Sequence, residues 1–337
     1  MTPSLSVLIA CYNGKNHIDR CFKSLTKQGL NDFNIIVVDD CSTDNSFELL
    51  SRWKNKFPKL TIIRNTTNLG LAKVRNIYID AVKTDYFTML DIDDVLPKNT
   101  LLKLCKPIIK NNILYDIVVG KTKVHVVSLK GKVTSTLPLV NTNNYCRDCN
   151  NIEKFLIKNA RLTVWGALIN KNYWDSLNFK FADVKTYDDI TISFFMMFNA
   201  KKFYAINHCS YIYRLYKKSL SHDKNFSAEK FKEYQEQIFS FLDKIKNDSR
   251  FTNQLAKNCV ESKMSAETLQ FLNYQKLTSK TPESQKMFSD FKKEFYKKYV
   301  IECGLRIGNA KSWWGRFMNT QFKKVFKEEI KTNKTKT

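Results

Sequence analysis

Short apolar runs alternate with longer stretches of helical periodicity along the first third of the chain. Ser4–Ala10 is a compact apolar run closed by the turn sequence Cys11-Tyr12-Asn13-Gly14. Asn34–Val38 is a second, nearly all β-branched, and leads into Asp39-Asp40. Leu60–Ile63 is a third, followed by Asn65-Thr66-Thr67-Asn68. Tyr86–Leu90 is a fourth, and it ends on Asp91-Ile92-Asp93-Asp94. Between and after these strands the spacing predicts helices over about 15–28, 44–56, 70–83 and 97–110. The Asp40-Cys41-Ser42-Thr43-Asp44 run supplies side-chain caps for the second of them. Strands and helices alternating in this way predict an α/β chain with a mostly parallel, doubly wound sheet buried on both faces. From about residue 225 the pattern turns wholly helical and lysine-rich, with Phe226, Phe231, Ile238, Phe241, Leu242 and Ile245 at helical spacings.

Open sheets of this kind bind ligands at the carboxyl ends of their strands. Polar residues cluster at the ends of strands one, two and four, so one rim carries one site. Asp91 and Asp93 stand two residues apart, and on an extended chain their side chains share a face. Two carboxylates held together repel unless a cation sits between them or one is protonated. Hard oxygen ligands suit Mg²⁺ or Mn²⁺, which keep open positions for substrate phosphates. The plain alternative is a strand-end Asp that caps the next turn.

Several blocks together resemble the family 2 glycosyltransferases of the GT-A fold. They are Ser6–Asn13, Val38-Asp39-Asp40-Cys41-Ser42-Thr43-Asp44, Asn68-Leu69-Gly70-Leu71-Ala72-Lys73-Val74-Arg75-Asn76 and Leu90-Asp91-Ile92-Asp93-Asp94. Ala10 stands where many members carry Pro and Cys41 where many carry Gly, departures that bear on loop geometry. The resemblance implies a Rossmann-like GT-A domain over 1–224, with a donor-binding half to about 115 and an acceptor half from 116. It also implies a nucleotide-sugar donor, expected to be a UDP-sugar, contacted by Cys11, Tyr12, Asn13, Asp39, Asp40, Gly70, Leu71, Arg75, Asp91 and Ile92. Carboxylates suit base and ribose donors. Asp39 is the expected base contact by resemblance, while Asp40 is either a second contact or a helix cap. Arg75 fixes the nucleotide, orients the aspartates, or is a surface helical arginine. Asp93 is the expected direct metal ligand. Asp91 ligates too, or meets the ribose or a metal-bound water, and Asp94 ligates or holds the turn.

Transfer to an alcohol also needs a base, because a hydroxyl is a poor nucleophile. Asp188-Asp189, ahead of the apolar run Ser193–Phe198, resembles the family's Glu-Asp pair at a helix start, with Asp189 as the base. Dipole preference alone also favours acids there. Thr163–Ile169 resembles the strand that precedes this pair. Tyr211-Ile212-Tyr213-Arg214 followed by Ser219 resembles a block whose cations neutralise a leaving diphosphate. His222 is read as a surface histidine. One base and one leaving group imply inversion at the anomeric carbon. A glycosidase pair, which flanks one bond, does not fit. Nor does a nucleotidyltransferase, since Cys11-Tyr12-Asn13-Gly14 is not a glycine-rich phosphate loop.

Composition narrows the partners. The formal charge is +24, with basic residues dispersed and no helix-turn-helix, zinc-finger or RNA-recognition signature, so nucleic acid is not the expected partner. An anionic membrane surface is. Trp313, Trp314, Phe317, Phe322, Val325 and Phe326 share a broad face opposite Arg316, Lys323, Lys327 and Lys331. The alternative is packing on the chain itself or on a second copy, making a homo-oligomer. Residues 225–331 are thus expected as a basic helical region and 332–337 as a disordered tail. No apolar run of about 18 residues occurs. Nine cysteines without a signal peptide or an even framework predict reduced thiols in a cytoplasmic protein, held peripherally on the inner membrane face. Cys146-Arg147-Asp148-Cys149 lacks a second pair for zinc. The expected function is transfer of a sugar to a hydroxyl of a lipid-linked or cell-surface glycan. The rival is a non-catalytic sugar-nucleotide or nucleic-acid binding protein on the same fold.

Overall fold

The computed structural model describes residues 2–30, 32–128, 131–140, 142, 155–156, 159, 163–182, 184, 188–216, 228–264, 267, 281–306, 320, 323–324 and 326–334. The chain falls into two compact units, Met1–Ile152 with Thr163–Ser219, and Glu153–Leu162 with Leu220–Thr337.

The first unit is built on β1 (Leu5–Cys11), β2 (Asn34–Asp39), β3 (Leu60–Arg64) and β4 (Tyr86–Met89), all parallel, in the order β3-β2-β1-β4. Val7, Leu8, Ile9, Ile35, Val37 and Val38 are fully buried, so both faces of the central strands are covered. That is why these runs are continuously apolar and do not alternate. The flanking helices are α1 (Ile18–Leu25), α2 (Ser46–Trp53), α3 (Leu71–Asp80) and α4 (Thr100–Asn111). Each starts later than the periodicity alone predicts. Asp44 Oδ1 accepts the Ser46 N–H at 2.9 Å from outside α2, while Gly70 (φ +87°) and Asn99 (φ +62°) break helical geometry just before α3 and α4. Ile18, Cys21, Phe22 and Leu25 bury one stripe of α1.

Beyond α4 the sheet becomes mixed. It gains β5 (Ile117–Val127), its hairpin partner β6 (Val133–Val140), β7 (Ala167–Asn170) and the long β8 (Phe203–Tyr216). Strand β7 pairs antiparallel with both β4 and β5, and β8 runs parallel to β5. Helices α5 (Lys171–Ser176) and α6 (Asp189–Asn199) belong to this half. Gly166, at φ +78°, has no room for a Cβ, which would lie 2.8 Å from that of Tyr211. That close approach lets Trp165 stack on Tyr211 at 4.3 Å between ring centroids.

The described part of the second unit is helical, with Ala228–Asn247, 254–264 and Pro282–Tyr296 as its main elements. Phe231, Ile238, Phe241, Leu242 and Ile245, expected at helical spacings, are all buried, and Phe231 meets Phe288 at 4.4 Å. Phe226 lies outside the described residues. Two expectations need correction at the chain end. The last helix is Lys327–Lys334, so residues 332–334 are helical and not part of a disordered tail. Phe326 is buried and stacks on Phe295 at 5.2 Å, which removes it from the proposed membrane face. Trp313, Trp314, Arg316, Phe317, Phe322, Val325, Cys146 and Cys149 fall outside the described residues. Among the described residues no helix is long and apolar enough to cross a membrane.

Candidate active site

The loops after β1 and β2 are clipped together. Asn13, at φ +49°, accepts the Thr43 N–H on Oδ1 at 2.9 Å and donates its own N–H to Ser42 Oγ at 2.9 Å. Cys11 is buried, and burial, helped by Asp39, pushes its thiol up to about 12. It therefore acts through its carbonyl, which accepts the Asp40 N–H at 2.8 Å. The Tyr12 side chain is exposed. Cys41 sits at φ +60°, the left-handed region that favours glycine, so the loop keeps a glycine-type backbone although the side chain departs from the family pattern.

Asp39 and Asp40 have different environments. Asp40 Oδ1 accepts from Asn65 Nδ2 at 2.7 Å and the Leu69 N–H at 2.9 Å, and Oδ2 accepts the Gly70 N–H at 2.8 Å. Its carboxylate is thus engaged in bracing the 65–70 loop, and the helix-cap alternative is wrong because α2 takes its side-chain bond from Asp44. Asp39 is fully buried, takes a 3.3 Å bond from the Ser42 N–H and lies 3.3 Å from Arg64 Nε. The oxygen facing Arg64 is Oδ2, which is buried and accepts no hydrogen bond. A buried oxygen of this kind is a place for a ligand donor. Gly70 carries φ +87° and ψ 158°, a conformation essentially confined to glycine. A Cβ there would touch nothing within 4 Å. Gly70→Ala is therefore expected to lower stability through backbone strain alone, by about 1–3 kcal/mol, readable as a lower Tm. Leu71 opens α3, half-buried.

The acidic motif is not a strand. Strand β4 ends at Met89, and the Asp94 N–H donates to the Asp91 carbonyl at 3.0 Å, closing a turn. The shared strand face expected for Asp91 and Asp93 is therefore absent, and the two acids sit in a turn in which burial and the Asp93 charge raise the Asp91 pKa. Ile92 lies over Gly14, 3.3 Å from where a Cβ would stand. Asp94 is a structural post. Its Oδ2 accepts the Tyr211 hydroxyl at 2.6 Å and its Oδ1 the Arg214 N–H at 2.6 Å, while Tyr211 Oη accepts the Asp91 N–H at 3.2 Å. Burial, with Asp93 and Asp91 nearby, holds the Asp94 carboxyl well above the usual range.

Arg75 organises the other acids. It is buried, not a surface residue, and its Nη1 donates to both Asp188 oxygens at 2.8 Å. Its Nη2 lies 3.9 Å from Asp91 Oδ1, and the guanidinium covers the Phe181 ring at 5.2 Å. Asp188 precedes α6 and Asp189 is its first residue, half-buried. Burial pushes Asp91 up to about 6, with Arg75 opposing and Asp93 and Asp189 adding to the rise. Burial also raises Asp93, against the pull of Arg20 and Arg214. Asp91, Asp93 and Asp189 thus share one electrostatic neighbourhood. Arg214 is buried on β8, and its Nε donates to Tyr216 Oη at 2.9 Å. Ser219 and His222 lie outside the described residues. Arg20, Arg64 and the phenol of Tyr216 were not singled out in the sequence. Arg64 and Arg20 belong to no quoted block, and only their positions in the fold bring them to this rim.

The donor set suits a divalent ion. Among the described residues no group of three or more His, Cys, Asp or Glu side chains gathers as a closed cage. With Asp94 committed to Tyr211 and Arg214, Asp91 and Asp93 remain. One or two carboxylates completed by substrate phosphates is how Mg²⁺ is usually held. Burial of these like charges makes an added cation favourable.

The sequence pattern of Glycosyl transferase family 2 matches residues 6–223, and the chain belongs to that family. It is a glycosyltransferase with the GT-A fold, and the non-catalytic alternative falls. The processive diacylglycerol beta-glycosyltransferase of Mycoplasma genitalium is 30% identical over 236 residues, 66% of each chain. The poly(ribitol-phosphate) beta-N-acetylglucosaminyltransferase TarS of Staphylococcus aureus is 32% identical over 98 residues, 28% of this chain and 17% of that protein. The structure of TarS 1-349 in complex with UDP-GlcNAc superimposes with a TM-score of 0.70 at 18% identity, covering 98% of this chain and 92% of that one. GalNAc-T7 with UDP, GalNAc and Mn²⁺ gives 0.52 at 18% identity, covering 72% and 50%. At these identities the structural likeness is one of fold.

Proposed function

We propose that this chain transfers a sugar, with inversion, from a UDP-sugar to a hydroxyl of a lipid-linked or cell-surface glycan, aided by Mn²⁺ or Mg²⁺. The observation that carries the reading is the gathering of Asp91, Asp188 and Asp189 around buried Arg75, beside the Asp91–Asp94 turn. Asp39, whose buried Oδ2 accepts no hydrogen bond and faces Arg64 at 3.3 Å, is the contact for the uracil imide. Asp40 acts indirectly, by holding Leu69 and Gly70 where the nucleotide would pass. Cys11, Tyr12 and Asn13 form the opposite wall, and Leu71 and Ile92 add apolar contact.

Asp91 and Asp93 would hold the divalent ion, which when bound neutralises charge developing on the leaving diphosphate. The chain's own residues supply the rest. Asp188, locked by two bonds from Arg75, fixes the start of α6 and so the position of Asp189. Asp189, not itself engaged by Arg75 in a hydrogen bond, takes the proton from the acceptor hydroxyl as the new bond forms. A single base opposite a leaving group gives displacement from the far face of the sugar, hence inversion. Support for the donor comes from TarS, whose structure holds UDP-GlcNAc, and for the acceptor from the names of the diacylglycerol and poly(ribitol-phosphate) enzymes. A thermal-shift screen of sugar nucleotides with Mn²⁺ tests the donor. A UDP-sugar should raise Tm more than the matching GDP- or CDP-sugar, and an equal response to all three would contradict the uracil contact at Asp39.

The same reading includes peripheral contact with an anionic membrane face. It draws on the charge of +24 and on Trp313, Trp314 and Phe317 in the sequence. Replacing both tryptophans by serine is expected to reduce co-sedimentation with anionic vesicles, and added salt should weaken binding further, since each basic residue near the surface contributes about 1 kcal/mol. Unchanged sedimentation would remove Trp313 and Trp314 from the contact.

A further inference from the structure

Helix α4 is apolar on two sides. Leu101, Leu104, Cys105 and Ile108 are buried where the helix packs on β5 and β8. Leu102 and Ile109, two turns apart, share the outward side and are 38% and 41% exposed. Leu114, just past the helix end, is 63% exposed. Lys106 lies between Leu102 and Ile109 on that same side, with Lys103 and Lys110 along its edge, and all three are exposed. Exposed Lys98 precedes the helix, and the Asn99 N–H donates to the Lys27 carbonyl at 2.8 Å, which brings a further exposed lysine to this end. Between Asp94 and Asp116 the chain has no acidic residue. Asp116 itself accepts the Lys201 and Lys202 N–H groups at 2.7 and 2.8 Å. Lys103 Nζ is 3.2 Å from His208 Nδ1. Among the described residues none of Lys98, Lys103, Lys106 and Lys110 is paired with a carboxylate.

A single exposed leucine on a surface needs no explanation. Aliphatic side chains set among unpaired lysines on one convex helix face do, because an ordinary solvated face would be polar at 102 and 109. A nucleic-acid backbone would meet the lysines but offer nothing to the aliphatic groups. An anionic headgroup layer meets both. Leucine and isoleucine side chains enter the boundary of the acyl region, while lysine stems lie along it and their ammonium groups reach the phosphates. We propose that the outward face of α4 is a docking surface for an anionic lipid bilayer. The inference deepens the proposed peripheral membrane contact and rests on it for the presence of a lipid partner. It places that contact on the catalytic unit itself, apart from Trp313 and Trp314. Helix α4 follows the Asp91–Asp94 turn directly, and Gln28 Nε2 holds the linking Leu96 and Pro97 carbonyls at 3.4 and 3.0 Å. The N-terminal end of the docking face therefore starts at the rim that carries the acids, where an acceptor anchored in lipid has to arrive.

Co-sedimentation of the full chain with vesicles of phosphatidylcholine and phosphatidylglycerol tests the surface, with vesicles of phosphatidylcholine alone as the contrast. Two variants are compared with the unmodified chain, Lys103→Ser with Lys106→Ser and Lys110→Ser, and Leu102→Ser with Ile109→Ser. The triple lysine variant should partition about a hundred-fold more weakly onto the anionic vesicles, since each basic residue near such a surface is worth about five-fold. The double aliphatic variant should lose about ten-fold. All five side chains are exposed, so Tm and UDP-sugar hydrolysis in solution should match those of the unmodified chain. Unchanged partition of both variants overturns the proposal and leaves the face to an acidic protein. If Trp313→Ser with Trp314→Ser then abolishes sedimentation, the membrane reading stands on those tryptophans while the α4 surface falls. Equal binding to phosphatidylcholine alone removes the charge complementarity and also overturns it, and an unmodified chain that binds neither vesicle overturns both the surface and the membrane reading.

Discussion

Asp93→Asn is expected to abolish measurable sugar transfer while leaving the fold intact. Asp93 makes no side-chain hydrogen bond to another described residue, in contrast to Asp94, whose two oxygens hold Tyr211 and Arg214. An amide of the same shape therefore fits the turn without breaking it. What it removes is a hard anionic ligand, and a bound metal is worth several kcal/mol of transition-state stabilisation, or a rate loss of about a thousand-fold or more. Thermal unfolding without ligand should be close to that of the unmodified chain, while Mn²⁺-dependent stabilisation by the donor disappears. Asp94→Asn should behave differently, because it loosens the link from the turn to β8 and so lowers Tm without ligand. Full transfer activity in Asp93→Asn would remove the residue from the chemistry.

Asp189→Asn is the second large effect. A positioned general base contributes about a hundred- to ten-thousand-fold, and the turnover number should fall within that range. Donor affinity should barely move, because Asp189 meets the acceptor. The amide also leaves the Arg75–Asp188 pair untouched, so stability should change little. Asp188→Asn is the informative contrast. It takes the charge from the partner of a buried arginine, and breaking a buried pair is strongly destabilising, typically by about 3–5 kcal/mol. If Asp189→Asn lost donor binding and kept turnover at saturation, the base would have to be sought elsewhere on the rim.

Much of this architecture is legible in the sequence because local and global preferences agree. Strands β1 to β4 are short, largely apolar and punctuated by Asn, Asp and Gly, so their existence and parallel pairing follow from composition and spacing, while the order β3-β2-β1-β4 does not. The mixed half of the sheet was less legible. Strand β7 has four residues, and β5 and β8 pair across more than eighty residues of sequence, a contact no local pattern encodes. The Asp91–Asp94 segment was legible as chemistry but not as shape. Alternation suggested an extended pair, and the 3.0 Å bond from the Asp94 N–H to the Asp91 carbonyl makes a turn instead. The choice between Asp39 and Asp40 could not be made from adjacent, chemically identical residues. In the structure the two differ in environment, the Leu69 and Gly70 N–H groups donating to Asp40. Arg75 had three readings in the sequence, and its burial against Asp188, 113 residues away, removes the surface one.

Arg20 marks the limit of motif reading. It lies on an ordinary amphipathic helix, and its hydrogen bond to Tyr216, 196 residues away on β8, is encoded by no local pattern. Function in this fold is set by loops and strand ends around a common frame, so residues outside the recurrent blocks carry what distinguishes one member from another.

The most direct test of the account is hydrolysis of a UDP-sugar by the purified chain, followed as UDP release with Mn²⁺ and again with excess chelator. Release in Mn²⁺, its loss in chelator, its return on adding Mn²⁺ and its absence in Asp93→Asn are the results expected. Equal release in chelator, or full release by Asp93→Asn, would contradict the assignment of Asp91 and Asp93 as the metal site.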